Sequence, residues 1–313
     1  MKALSGYLLR RLISAVMAVF FVVTITFFLM HAIPGGPFAS EKEIPPEVQK
    51  NIEARYHLND PLWKQYVDYL HNLIRWDLGP SFKYEATTVN EIINRSFPVS
   101  ATLGAVAVSF ALIVGMLSGI IAALNHNKWQ DYLAMIMATI GFAVPSFIMA
   151  GVLMYIFAYK LRWFPAALWG SPSQAVLPAL ALAGMPTAVI ARFMRSNLLE
   201  VMQQDYIRTA RAKGLSRQVI VYRHALRNAC LPIITYLGPL VAGIFTGSFV
   251  VESIFAIPGL GQYFVSSISN RDYTVILGVT VFYSIFLVAM NLLVDLAYVW
   301  VDPRIKLNEG RKA

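Results

Sequence analysis

The polar residues whose spacing can do work are gathered in one stretch, Glu200 to Pro232, which reads EVMQQDYIRTARAKGLSRQVIVYRHALRNACLP. Arg192 to Arg227 carries eight Lys/Arg against two acids, Glu200 and Asp205. Bond-making chemistry has no support anywhere in the chain. The five histidines (His31, His57, His71, His126, His224) are scattered, and no His-x-x-x-His, Gly-x-Ser-x-Gly or Gly-x-x-x-x-Gly-Lys-Ser/Thr pattern occurs. The lone Cys230 excludes an intramolecular disulfide and a multi-cysteine metal site, and its apolar neighbours point to a packed thiol. What this stretch can offer is recognition through charge and helix geometry.

That geometry is legible. The spacing predicts a helix from Leu199 to Lys213, with Leu199, Met202, Tyr206 and Ala210 on one face and Asp205 and Arg208 at ion-pair spacing away from it. Gly214 suits the left-handed conformation that ends a helix, and the Ser216 hydroxyl suits the cap of the next. The second helix is expected to carry Val219, Tyr222, Leu226 and Ala229 along one side. The charge by itself fits the excess of Lys/Arg found in cytoplasmic loops. The defined Gly-Ser turn goes further and favours a docking surface for a cytosolic partner. Nucleic-acid binding is excluded, because both helices are tethered closely to apolar segments.

The elements that must position this stretch are built for lipid. The chain of 313 residues is 57% hydrophobic and 14% charged, with a mean hydropathy of +0.57. A soluble domain carries roughly 25% charged residues, so an all-α integral membrane protein is expected. Leu12 to Met30 is uncharged behind Lys2, Arg10 and Arg11 and is too long for a signal-peptide core, so it predicts an uncleaved first span. Five further uncharged runs follow at Pro98–Leu124, Tyr132–Tyr159, Phe164–Ala191, Asn228–Val251 and Tyr273–Val294, the third of them narrowed to about Ala175–Phe193 by its Gly/Pro-rich start. Six transmembrane helices result. The expected division is 1–30 (N-terminus and first helix), 31–97 (a polar insert), and 98–313 (a five-helix core holding the basic segment 192–227 and a C-terminal tail).

The insert holds seven basic and nine acidic residues. Within it Glu47–His57 and Leu62–Ile74 are predicted as short amphipathic helices, the second with Leu62, Tyr66, Tyr69 and Leu73 on a face that suits either the membrane surface or the helix bundle. With the N-terminus inside, 16 Lys/Arg fall on the inner side and ten outside, seven of those ten in the net-acidic insert. Both termini and the Glu200–Pro232 stretch are thus expected in the cytoplasm, and the insert outside. Gly115-x-x-x-Gly119 predicts a close helix contact. Pro145, Gly184, Pro186, Gly238 and Pro239 are candidate helix bends or path positions. Few ionisable groups fall in the spans. Glu252 and Asp295 lie near opposite interfaces and are expected to be structural.

The central stretch resembles the cytoplasmic signature of permease subunits of binding-protein-dependent ABC importers, Glu-Ala-Ala, three residues, Gly, nine residues, then Ile-x-Leu-Pro. Here the positions are Arg208-Thr209-Ala210, Gly214 and His224-Ala225-Leu226-Arg227, of which Ala210, Gly214 and Leu226 match. Arg208 and Arg227 depart, and the proline is displaced to Pro232. The run Asp205-Tyr206-Ile207-Arg208-Thr209-Ala210-Arg211-Ala212-Lys213-Gly214-Leu215-Ser216, closing on His224-Ala225-Leu226-Arg227-Asn228-Ala229, resembles the peptide-transporter branch. So do Tyr7-Leu8-Leu9-Arg10-Arg11, Leu58-Asn59-Asp60-Pro61, Asp77-Leu78-Gly79-Pro80-Ser81, Phe255-Ala256-Ile257-Pro258-Gly259-Leu260-Gly261 and Asp302-Pro303-Arg304, which together cover essentially the whole chain. The long insert is similar to that of the B-type subunit of oligopeptide permeases.

The resemblance implies a type I importer permease in a bacterial inner membrane. Such a subunit forms half of a path for oligopeptides, with a second homologous permease, two cytosolic ATPases that bind the ATP and Mg, and an external peptide-binding protein. Membrane lipid surrounds it, and the chain itself carries no cofactor and no enzyme activity. Residues Asp205 to Ser216 would be the coupling element toward the ATPases. Dipeptide, nickel or glutathione import on the same scaffold is the alternative, and a stand-alone secondary carrier a more distant one.

Overall fold

A computed structural model describes residues 2–33 and 59–301. Among the described residues the chain is helical, with no strand beyond an isolated bridge between Pro80 and Thr88. α1 (Lys2–Ala32) is followed by α2 (Leu62–Ile74), α3 (Val89–Leu124), α4 (Trp129–Ala143) and α5 (Ser146–Leu153), which runs on as a π-turn over Met154–Lys160. Then come α6 (Pro172–Val201), α7 (Asp205–Ala212), α8 (Arg217–Val219), a π-turn over Ile220–Ala225, and α9 (Leu226–Ala229). The last elements are α10 (Leu231–Phe245), α11 (Phe249–Ile254), α12 (Leu260–Asn270) and α13 (Tyr273–Val301).

Among the described residues, four helices are long and apolar enough to cross a bilayer: Ile13–Ala32 of α1, Val89–Leu124, Pro172–Val201, and Tyr273–Val294 of α13. Two pairs pass only when taken together. Trp129–Ala143 with Ser146–Lys160 bends by 108°, and Arg217–Ala229 with Leu231–Phe245 by 48°. The crossings number six if each bent pair is one span. The larger bend falls at Val144-Pro145. A residue before proline is driven out of the helical region, and Val144 is extended at φ −87°, ψ 117°.

α3 begins nine residues before the expected start at Pro98, which lies inside the helix. The reason is local: Thr88 Oγ1 accepts from the Glu91 N–H (3.2 Å) while the Thr88 N–H donates to Glu91 Oε2 (2.9 Å), a reciprocal cap. The helix expected over Glu47–His57 lies outside the described residues. α6 likewise runs unbroken through Pro178 and Pro186 to Val201, beyond the expected end.

α3 and α6 form the centre of the bundle. Small residues let their backbones meet: a Cβ on Gly115 would fall 2.9 Å from Ile190 Cβ and the Thr187 carbonyl, and one on Gly119 2.6 Å from Met194 Cβ and the Ala191 carbonyl. Alanines 107, 111, 179 and 183 are buried in the same apolar core. Gly141 of α4 meets the Gly184 carbonyl of α6 in the same way, 2.8 Å from an added Cβ. Gly238, one residue before Pro239 in α10, approaches α13, where a Cβ would lie 3.0 Å from Asn291 Oδ1. The candidate bend positions at 184 and 238 thus sit at helix contacts. A second apolar cluster, with Leu78, Val89, Ile92, Ile93, Leu260, Val275 and Val279, joins the insert's last residues to the starts of α3, α12 and α13.

Candidate functional site

The basic stretch folds differently from the expected pair of helices. α6 ends at Val201, turns 202–204 reset the chain, and α7 starts only at Asp205. Leu199, Met202 and Ala210 still pack against the apolar core, whereas Tyr206 turns outward and is exposed. The buried anchors of α7 are Ile207, fully enclosed, and Ala210, while Asp205, Tyr206, Arg208, Thr209, Arg211, Ala212 and Lys213 are exposed. Tyr206 is nonetheless fastened, its hydroxyl accepting from Asn228 Nδ2 at 2.7 Å and so tying α7 to α9. Asp205 and Arg208 approach to 3.4 Å with both side chains largely in solvent, a pair that contributes little.

Gly214 ends this unit at φ +77°, its N–H donating to the Arg211 carbonyl at 2.9 Å, and the Leu215 N–H returns to the Ala210 carbonyl at 3.3 Å. Ser216 Oγ accepts from the Val219 N–H at 3.4 Å, and Gly214, Leu215 and Ser216 are all exposed. Beyond it, the buried side is Ile220, Val221, Ala225 and Ala229, whereas Tyr222 and Val219 are exposed. The expected face through Val219, Tyr222 and Leu226 assumed one uninterrupted α-helix. The π-turn at Ile220–Ala225 inserts a residue into the repeat and rotates everything before it.

The unit is stitched to the bundle by groups that sequence spacing does not single out. Arg217 Nη2 donates to the Leu124 carbonyl at 2.7 Å, closing the C-terminal end of α3. Asp131, only 2% exposed in the first turn of α4, is gripped by Arg195 of α6, with Nε–Oδ1 at 2.5 Å and Nη2–Oδ2 at 2.7 Å. The Asn127 N–H adds 3.0 Å to Oδ2, and His126 Nδ1 lies 3.2 Å from the same oxygen. Arg195→Ala leaves this carboxylate with only the Asn127 N–H and His126 and is expected to cost about 1–3 kcal/mol. Thermal unfolding of the purified protein in detergent checks this, and Asp131→Asn in the same chain should recover part of the loss.

The opposite end carries two more enclosed carboxylates. Glu252 on α11 is fully buried and accepts from Ser100 Oγ of α3 (2.8 Å) and the Gln262 N–H (3.2 Å), while Ser100 Oγ takes the Leu260 N–H at 2.9 Å. Gly247, Gly259 and Gly261 make room for it, since a Cβ on each would fall within 2.4–3.0 Å of the Glu252 carboxyl. Burial pushes this carboxyl up from the usual range, opposed by the Ser100 hydroxyl and the backbone N–H donors. Asp272, also buried, accepts from Ser81 Oγ, the Phe82 and Lys83 N–H groups (3.2 and 3.3 Å), Thr274 Oγ1 (2.9 Å) and the Val275 N–H (3.3 Å). The loop 255–261, the end of the polar insert and the start of α13 thereby form one bonded layer. Glu252 was expected to be structural near an interface; its enclosure by three glycines is visible only in three dimensions.

Two family profiles match the chain. Residues 115–307 match the binding-protein-dependent transport system inner membrane component, and residues 4–104 the N-terminal part of the same membrane component. The chain belongs to this family. It is 53% identical over 306 residues to the dipeptide transport system permease protein DppB of Bacillus subtilis, covering 98% of this chain and 99% of that protein. It is 46% identical over 302 residues to the oligopeptide transport system permease protein OppB of Escherichia coli K12, covering 96% and 99%. Among solved structures, an inward-facing form of the MetNI methionine ABC transporter superposes with a TM-score of 0.55 at 15% identity, over 67% of this chain and 96% of that one. An amino acid ABC transporter follows at 0.51 and 16%, over 66% and 93%. The fold is that of the membrane subunit of an ABC importer. The protein is a multi-pass inner-membrane permease component, a transport subunit rather than an enzyme.

Proposed function

We propose that this chain is one permease half of an ATP-driven peptide importer and that Asp205 to Ser216 couples it to cytosolic ATPases, both termini lying on the same cytoplasmic side. The observation that carries the coupling role is the construction of this unit. A short helix anchored by buried Ile207 presents Arg208, Thr209, Arg211, Ala212, Lys213, Gly214, Leu215 and Ser216 outward. It is held through Tyr206–Asn228, and the segment after it through Arg217–Leu124. A push on the exposed turn therefore meets a stiff element joined to α3, not a slack loop. The sequence carries no Walker-type motif, and in this scheme the driving energy enters through partners: two ATPases, a second homologous permease and an external binding protein. No cofactor belongs to this chain in that scheme.

Oligopeptides are the proposed cargo, supported by the long external insert and by relatives carrying that name at 46% and 47% identity. Dipeptides are the second reading, favoured by the 53% identity to a dipeptide permease. Division of the chain into 1–30, 31–97 and 98–313 follows the same scheme. The test is to purify the tagged chain from its native membrane. An ATPase and a second permease should accompany it, and a cysteine at Lys213 should cross-link to the ATPase. Isolation as a lone carrier would overturn the proposal. The ligand retained by the associated binding protein then decides between the two cargo classes.

A further inference from the structure

α2 carries more apolar surface than the bundle uses. At about 100° per residue its apolar side chains fill a sector of about 160°, from Tyr69 through Leu62, Leu73, Tyr66, Leu70, Trp63 and Ile74 to Val67. His71, Lys64, Asp68, Asn72 and Gln65 fill the opposite side. One half of the apolar sector is taken by α1. Phe27 lies 5.2 Å from the Tyr66 ring and 5.6 Å from Tyr69, Phe28 lies 5.4 Å from Tyr66, and Tyr66 Oη meets Thr24 Oγ1 at 2.6 Å. The other half is open: Trp63 is 68% exposed, Val67 53% and Ile74 86%.

The depth of this contact decides what the open half meets. Phe27, at the centre of this contact, precedes Ala32, the end of the apolar span, by five residues. At 1.5 Å per residue it lies about 8 Å inside the end of the span. An amphipathic helix in a membrane interface sinks its apolar face about 5–10 Å into the headgroup–acyl boundary. The open sector is also continuous with the lipid-facing side of α1, where Phe21, Ile25, Phe28 and Leu29 are exposed. Trp63 and Trp76 are both exposed, and amphipathic rings favour the membrane–water boundary, while Lys64 on the polar side pairs with Asp60 at 2.8 Å.

We infer that α2 lies in the outer leaflet, with Tyr66 and Tyr69 against α1 and Trp63, Val67 and Ile74 against phospholipid acyl chains. Residues 62–74 of the polar insert are therefore moored to the membrane beside α1 rather than suspended in water. The outer-leaflet assignment rests on the proposed orientation, whereas the lipid contact does not.

The experiment places nitroxide labels on Trp63→Cys, Val67→Cys and, as polar-side controls, Lys64→Cys and Asp68→Cys. Cys230→Ser provides the background, and the complex is purified with its partners and reconstituted in phosphatidylethanolamine/phosphatidylglycerol vesicles. Oxygen should relax the labels at 63 and 67 at least about twofold more than at 64 and 68, and a water-soluble nickel chelate should show the reverse. Nickel access at all four sites would overturn the inference, and so would labels at 63 and 67 shielded from both reagents, which would mean that a protein subunit covers this face. An impermeant thiol reagent on intact cells reads the side separately. Labelling of Asp68→Cys without lysis supports the outer leaflet, and labelling only after lysis overturns that assignment while leaving the lipid contact standing.

Discussion

Gly214→Val inserts into the membrane and assembles with its partners, yet uptake falls about 5–30-fold while ATP hydrolysis continues. This is the expected result if the exposed turn couples the subunit to its ATPases. No neighbour lies within 4 Å of an added Cβ at Gly214, so packing does not oppose the substitution. The backbone does. At φ +77° an L-residue costs about 1–2 kcal/mol, and a β-branched one is a worse fit. A bias of one or two kcal/mol changes an equilibrium by about 5–30-fold. The strain is relieved by rerouting the chain between α7 and α8, which moves Leu215 and Ser216 away from a partner while Ile207 stays buried. Gly214→Asn is the control, because Asn tolerates the left-handed region, and most transport should survive in it. Wild-type uptake by Gly214→Val in a proteoliposome assay would sink the coupling role of this turn.

The second large effect is expected at the other end of the molecule. Glu252→Ala removes the acceptor of two enclosed donors, Ser100 Oγ and the Gln262 N–H, and leaves a void among Gly247, Gly259 and Gly261. Two orphaned donors cost about 2–6 kcal/mol. The loss falls on loop 255–261 first, since the Leu260 N–H depends on the same Ser100 oxygen. Limited proteolysis should cut this loop faster, and the unfolding midpoint in detergent should drop by several degrees. Glu252→Gln retains one carbonyl acceptor for Ser100 and should lose less than half as much. Gly259→Ala approaches the same carboxylate from outside, with its methyl 2.4 Å from Glu252 Cδ, and should reproduce the loosening with the acid intact. If all three variants unfold like the wild type, the carboxylate is not holding the loop.

Gly214 and Ser216 belong to a class of features that local sequence declares. A helix stop, a capping hydroxyl and an uncharged run each depend on residues within one or two turns, and the turn at 214–216 forms as its types predict. Gly115-x-x-x-Gly119 belongs here too, because only small residues admit a second backbone. Register fails to be legible where the rule itself changes. The π-turn at Ile220–Ala225 and the reset at 202–204 alter the repeat, so faces drawn at 3.6 residues per turn put Tyr222 and Tyr206 among the anchors and miss Ile207. Pro98 marks the same limit from the other side. A proline reads as a helix start, yet the reciprocal cap between Thr88 and Glu91 starts α3 earlier and carries the proline within it.

By itself the sequence determined solvent and recognition: long uncharged runs can rest only in lipid, and motifs along the whole length mark an importer permease. Only the tertiary structure decided which polar groups are paired. Arg195 reaches Asp131 across 64 residues and Ser100 reaches Glu252 across 152. Hydropathy is a property of neighbours in the chain, whereas a buried charge is settled by neighbours in space. Packing of α3 against α4 and α6 brings together residues that no local spacing relates.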